Sequence, residues 1–151
     1  AVFQIDSAGI VTKPLQPAFG AYRSGSETGY NPAGDFGDII TYNAEMETDR
    51  NGDFNTSTGL FTCPVDGIYW FHASAYLSQY VTQAWLVING GRGSYNDFGV
   101  STQGNAVFSA LFYVELDAND TVGYHVYNGS DTSVTVYANA NHTYFRGGLL
   151  Y

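Results

Sequence analysis

The chain has 151 residues, enough for one domain with a full core. With 14 acidic residues against 5 Lys and Arg, the net charge is −9. This excludes the basic surface that nucleic acid or an anionic membrane would require. Aromatics make up 17% of the residues, and there are 13 Tyr and 18 Gly. Such a mixture favours many short strands with Gly-rich turns, an all-β sandwich or barrel.

Taken in order, residues 1–16 are mixed, hold Gly9 and Pro14, and read as an N-terminal arm without a repeat. Residues 18–22 form the first strand, 24–37 a long Gly-rich loop, 38–42 a short strand and 43–52 a polar, acidic connection. Phe54 starts an extended run, Thr58-Gly59 marks a turn, and Leu60-Phe61-Thr62 is apolar and β-prone. Cys63-Pro64-Val65-Asp66-Gly67 is a corner, because Pro64 cannot donate to a ladder and Asp-Gly suits a turn. The strand at 67–77 carries Tyr69, Trp70 and Phe71 in a row, which predicts burial on both of its faces.

Residues 78–83 turn, 84–88 form a strand, and Asn89-Gly90-Gly91 is a hairpin turn. Short, long and alternating strands follow at 95–100, 106–116 and 121–127, with a four-residue turn at 117–120. Residues 129–141 are a loop with a short extended piece at 134–137, and 142–151 closes the sheet. No window has sustained helical spacing. About ten such strands make a jelly roll of two antiparallel sheets. Alternating strand direction then puts loops 24–37, 78–83, 100–104 and 129–141 at the end far from the C-terminus. Turns 63–67, 89–93 and 117–120 fall at the near end.

A single cysteine excludes an internal disulfide. Cys63 is expected to be buried and inert, the alternative being an intermolecular bridge. The chain opens at Ala1-Val2-Phe3-Gln4 with no leader or membrane-spanning run, as a processed mature chain would. Asn55, Asn119, Asn128 and Asn141 each head an Asn-x-Ser/Thr triplet, an acceptor only on a secretory route.

The chain is not expected to be an enzyme. His72 and His125 lie in strands, no Gly-x-Ser-x-Gly elbow occurs, and Glu45, Glu47, Asp49 and Asp53 read as solvated loop carboxylates. No His/Cys set has zinc spacing. Carbohydrate binding needs fixed polar partners for hydroxyls and an aromatic platform for the C–H face of the sugar. The far-end loops supply Tyr30, Asn31, Gln79, Tyr80, Gln103, Asn105, Tyr137, Asn139, Asn141 and His142. Each of these is also an ordinary loop or sheet-edge residue. Arg23 or Arg92 could meet the carboxylate of an acidic sugar.

The spacing of Phe54, Phe61, Gly67, Tyr69 and Phe71, with Asp49 ahead of them, resembles the signature of the globular C1q domain. Pro17-Ala18-Phe19-Gly20-Ala21-Tyr22 is similar to its first strand, Trp85-Leu86-Val87-Ile88-Asn89-Gly90 to the strand ending in Asn-Gly, and Tyr144 to Tyr151 to the closing strand. The pattern departs at Asn43, where an aromatic is usual and Tyr42 lies one step off, and at Ala73. The resemblance implies a C1q domain over 17–151, a ten-stranded jelly roll of the C1q/tumour-necrosis-factor type, and assembly as a homotrimer. Tyr69, Phe71, Phe112, Tyr124, Tyr151 or their neighbours would fill the seam. It also implies a possible Ca²⁺ near Asp97, although residues 100–104 add no acid. The function implied is that of a secreted, stalk-less, lectin-like pattern-recognition protein for sialic acid or microbial polysaccharide. The alternatives are a cytokine-like module for a protein ligand, or an acidic matrix protein that binds Ca²⁺.

Overall fold

A computed structural model of the chain describes residues 4–5, 7–9, 11–13, 15–32, 39–46, 49–79, 81–97, 105–127 and 133–151. Its strands are β1 (Gln4–Ile5), β2 (Val11–Thr12), β3 (Ala18–Tyr22), β4 (Glu27–Tyr30), β5 (Ala44–Glu45), β6 (Phe54–Asn55) and β7 (Leu60–Thr62). They continue with β8 (Gly67–Leu77), β9 (Gln83–Ile88), β10 (Gly91–Asp97), β11 (Ala106–Leu116), β12 (Thr121–Tyr127), β13 (Val134–Val136) and β14 (Tyr144–Leu149). No helix occurs among the described residues. Among the described residues twelve of these strands, β3 to β14, build the sandwich, two more than the ten expected, because the two-residue pieces β5 and β6 also pair into its sheets.

One sheet runs β10-β9-β12-β7-β6, and the other β4-β13-β8-β14-β3-β5 with β11 also paired to β8. β8 is central because its alternation serves two purposes. Tyr69, Phe71, Ala73, Ala75 and Leu77 are fully buried, while Ile68, Trp70, His72 and Tyr76 are half-buried on the other face. β11 pairs with it along its whole length, from Ala106 opposite Leu77 to Leu116 opposite Gly67. Phe108, Ala110 and Phe112 point inward, leaving Val107, Leu111 and Tyr113 exposed outward.

The core is a cluster of rings. Phe19 stacks on Phe54 and Phe61, with centroids at 4.9 and 4.7 Å, and meets Phe145 edge-on at 5.0 Å. Phe71 lies 5.8 Å from Phe61 and 5.7 Å from Phe145. Each such ring contributes about 1.5–3 kcal/mol by burial. The rings explain Gly147: a Cβ there would lie 2.6 Å from Phe71 Cδ1 and 2.9 Å from Phe19 Cε1. Tyr42 fills the slot left by Asn43, fully buried, its hydroxyl donating to the Ser74 carbonyl at 3.1 Å.

The near-end turns knit together as their sorting predicts. Cys63 N–H donates to Asp120 O, Asn119 N–H to Cys63 O, and Ala118 N–H to the Asp66 carboxylate. Asn89 bonds Asp120 and Thr121 through its side chain. Cys63 is buried in this knot, and burial first, then Asp120 and Asp53, pushes its thiol up to about 12. It therefore stays protonated and unreactive.

Three expectations change, and the arm is filled in. The loop assigned to 24–37 contains β4, paired with β13 at Tyr30 opposite Val134. The strand assigned to 38–42 is not one over its described part, because Ile40 N–H donates to the facing sheet at Tyr124 O while β5 pairs β3 instead. The arm at 1–16 carries the β1–β2 hairpin. Tyr69, Phe71, Phe112 and Tyr124 belong to the sandwich core rather than to a seam; Tyr151 is exposed.

Candidate functional site

The far end of the seven-stranded sheet gathers several of the candidate residues on its outward face. Tyr76, at the end of β8, projects beside Tyr137, which follows β13; their ring centroids are 4.8 Å apart. The His142 ring stands at a steep angle to Tyr76 at 6.2 Å. Tyr137 Oη lies 3.5 Å from Asn105 Oδ1, just ahead of β11. Three rings and the Asn105 amide thus form one ledge, with the turn from Asn139 to His142 beside it.

Backbone bonds hold it. Tyr137 N–H donates to Tyr76 O at 2.8 Å, extending the β13–β8 pairing. The fully buried Thr143 accepts from Tyr76 N–H at 3.1 Å and donates its hydroxyl to Tyr137 O at 2.7 Å. Asn139 closes the turn beneath: its Oδ1 accepts from Asn141 N–H, and its carbonyl from His142 and Thr143 N–H. Ser74 donates its hydroxyl to the His142 carbonyl at 2.8 Å. The ledge is therefore fixed before any ligand arrives, while Asn105, Asn141 and His142 stay exposed.

The other expected residues part company with it. Tyr30 is a core residue: its hydroxyl lies 3.0 Å from His125 Nδ1 and bonds the Val126 backbone, so it offers no platform to a ligand. Asn31 and Gln79 are half-buried on turns beyond β4 and β8. Tyr80 and Gln103 lie outside the described residues. Arg23 is turned inward on its own chain, donating to the carbonyls of Gly25 and Thr41 and pairing with Glu27 at 3.1 Å. Arg92 lies over the Trp85 ring at 4.4 Å, on the other sheet. Neither arginine reaches the ledge.

Asp97 ends β10 opposite Gln83; its side chain lies outside the described residues. Among the described residues, no three His, Cys, Asp or Glu side chains group as metal ligands. Tyr76 and Thr143 were missed in the sequence. Tyr76 was legible as the next outward position after Trp70, His72 and Ser74, whereas Thr143 gave no signal.

A second polar group lies midway along the same face. His72 Nε2 is 2.8 Å from Ser109 Oγ and 3.4 Å from Tyr144 Oη. The Arg146 guanidinium sits over the Tyr144 ring at 4.4 Å. Burial, then the Arg146 charge, lowers the His72 pKa from its ordinary 6.5.

The family model described as C1q domain matches residues 18–150. The globular domain of zebrafish complement 1qA protein superposes with a TM-score of 0.66 at 25% identity, covering 90% of this chain and 98% of that one. An Eiger tumour necrosis factor from S. frugiperda gives 0.61 at 10% identity over 91% and 94% of the two chains. Murine APRIL gives 0.56 at 7% over 88% and 98%. The last two speak for the fold alone. No curated protein sequence matches the chain.

Proposed function

Because this chain belongs to the C1q domain family, we propose that it works by recognition, binding carbohydrate through the Tyr76–Tyr137–His142 ledge. C1q- and tumour-necrosis-factor-type families are non-enzymatic binding modules, and their members form trimers. C1q-domain proteins are generally secreted, and no helix among the described residues is long and apolar enough to cross a membrane.

One observation carries the reading: a preformed aromatic ledge bordered by exposed amides. Stacked C–H and ring surfaces supply affinity, and Asn105, Asn141 and His142 supply directional bonds to hydroxyls. A shallow site of this kind binds weakly. Three copies on a trimer would raise avidity by about 10²–10⁴ where the sites can be spanned together. On β11, Leu111 and Tyr113, exposed at 50% and 60%, supply an apolar surface for that assembly, while Val107 lies opposite Tyr76 at the ledge.

A glycan array tests the proposal. The wild-type protein should bind a defined subset of sialylated or microbial glycans, and Tyr137→Ala should lose most of that signal without a change in melting temperature. Absence of any glycan signal at high protein concentration refutes it, as does an unaltered pattern for Tyr137→Ala.

A further inference from the structure

The outward face of the seven-stranded sheet, apolar at Leu111 and Tyr113, carries a basic pair at its middle. In the sheet register His72 stands between Leu111 on β11 and Arg146 on β14, so the three form one row across the face. Side chains so placed have Cβ atoms about 4.5–5.5 Å apart. The next row holds Tyr113, Trp70 and Gly148, again with β8 in the middle. His72 is half-buried and held in place: Nε2 lies 2.8 Å from Ser109 Oγ and 3.4 Å from Tyr144 Oη, and its ring meets Tyr144 edge-on at 5.2 Å. Little around it can compensate a positive charge. Tyr144 and Arg146 face it from β14, Ser109 and Leu111 from β11, and Trp70 and Ser74 flank it on β8. Glu115, opposite Ile68, is the one carboxylate in β3, β8, β11 and β14. Four residues of β11 separate it from Leu111, roughly 13 Å.

Self-assembly through Leu111 and Tyr113 takes their row neighbours, His72 among them, out of water. A neutral imidazole tolerates this. An imidazolium does not, because burial strips its hydration and Arg146 opposes it directly. Within one protomer the same two causes, burial first and then Arg146, already lower the His72 pKa from 6.5. We infer, resting on that self-assembly, that His72 is an acid-sensitive latch between copies of this chain: neutral, it is closed into the seam, and protonated, it sets a second cation opposite Arg146 and parts the copies. The separate protomer takes up the proton more readily than the assembly does. Assembly is therefore at full strength above the protomer's His72 pKa, which lies below 6.5, and is lost as pH falls through the still lower value in the seam. The charge of the whole molecule predicts the reverse. At −9 the copies repel one another near neutral pH, and acid relaxes that repulsion by protonating carboxylates. Loss of assembly in mild acid therefore belongs to the seam.

Light-scattering mass over a range of protein concentrations is followed from pH 7.5 to pH 5, with far-ultraviolet circular dichroism on the same samples. The wild-type mass should fall from roughly three chains towards one, reversibly and with the β-sheet spectrum kept. The concentration at which half the chains are assembled should rise about tenfold or more. His72→Gln stays neutral and keeps a hydrogen-bonding side chain, so it should hold the assembled mass at pH 5. His72→Lys is charged throughout and should have the mass of one chain at pH 7.5 with the wild-type spectrum; where it fails to fold, His72→Gln carries the test by itself. His142→Gln, altered on the ledge, should titrate like the wild type. The proposal is overturned by a wild-type mass that stays assembled or grows in acid, by a fall that His72→Gln shares or that His142→Gln abolishes, by a fall that comes only with loss of the β-sheet spectrum, or by a folded His72→Lys that assembles. These outcomes leave self-assembly standing. A wild-type mass of one chain at pH 7.5 overturns both together.

Discussion

The hydroxyl of Thr143 sits where the chain after β13 runs past the end of β8. It takes the Tyr76 N–H and gives its proton to the Tyr137 carbonyl, so both ledge tyrosines depend on it. Thr143→Val keeps the shape and leaves both backbone groups buried and unpaired. The variant should lose about 1–3 kcal/mol in denaturant unfolding, and Thr143→Ser should recover most of it. His72 gives a pH signature. Its folded pKa lies below 6.5, lowered by burial and by Arg146, so the unfolded chain binds the proton more readily. The stabilising contribution is complete above 6.5 and is lost as pH falls through the folded value. Melting temperature should therefore drop from pH 7.5 towards 5, and drop less in His72→Gln. Asp49 and Asp53, raised first by burial above 3.8, act with the opposite sign in more acidic solution, so the difference between the two proteins isolates His72. Equal slopes would refute the assignment.

At the scale of elements, hydrophobic patterning gave β3, β8, β11 and β12 to the residue, because long alternating or apolar runs carry their own boundaries. It failed on β4. Glu27-Thr28-Gly29-Tyr30 is polar and Gly-bearing, and becomes a strand only because β13 lies beside it, a tertiary cause that no local propensity records. The same error misplaced Tyr30, which reads as exposed in a loop and is inward-facing on a strand. Asn105, Tyr137, Asn139, Asn141 and His142 were legible because loop sorting by strand direction groups them at one end. Tyr76 was overlooked for the reverse reason, since a strand residue suggests core. β11 supplies its own test. Its inward row is occupied by Phe108, Ala110 and Phe112, so a charge in the outward row should leave the fold intact. Leu111→Glu should therefore keep the wild-type β-sheet circular dichroism while disrupting self-association.

For the whole molecule, a sandwich whose two sheets share one ring cluster still leaves Leu111 and Tyr113 exposed on the outward face of β11. Assembly through that face predicts a light-scattering mass of roughly three times 16.4 kDa at micromolar concentration, falling towards one chain in Leu111→Glu. A wild-type mass of one chain would refute assembly. Thr143 has one further consequence, a matter of timing. Asn141-His142-Thr143 is a glycosylation triplet, and the modifying enzyme must engage the threonine hydroxyl. In the finished fold that hydroxyl is fully enclosed and committed to Tyr137. On a secretory route Asn141 would therefore be open to modification only while the chain is unfolded, and a glycan attached there would stand on the proposed ledge.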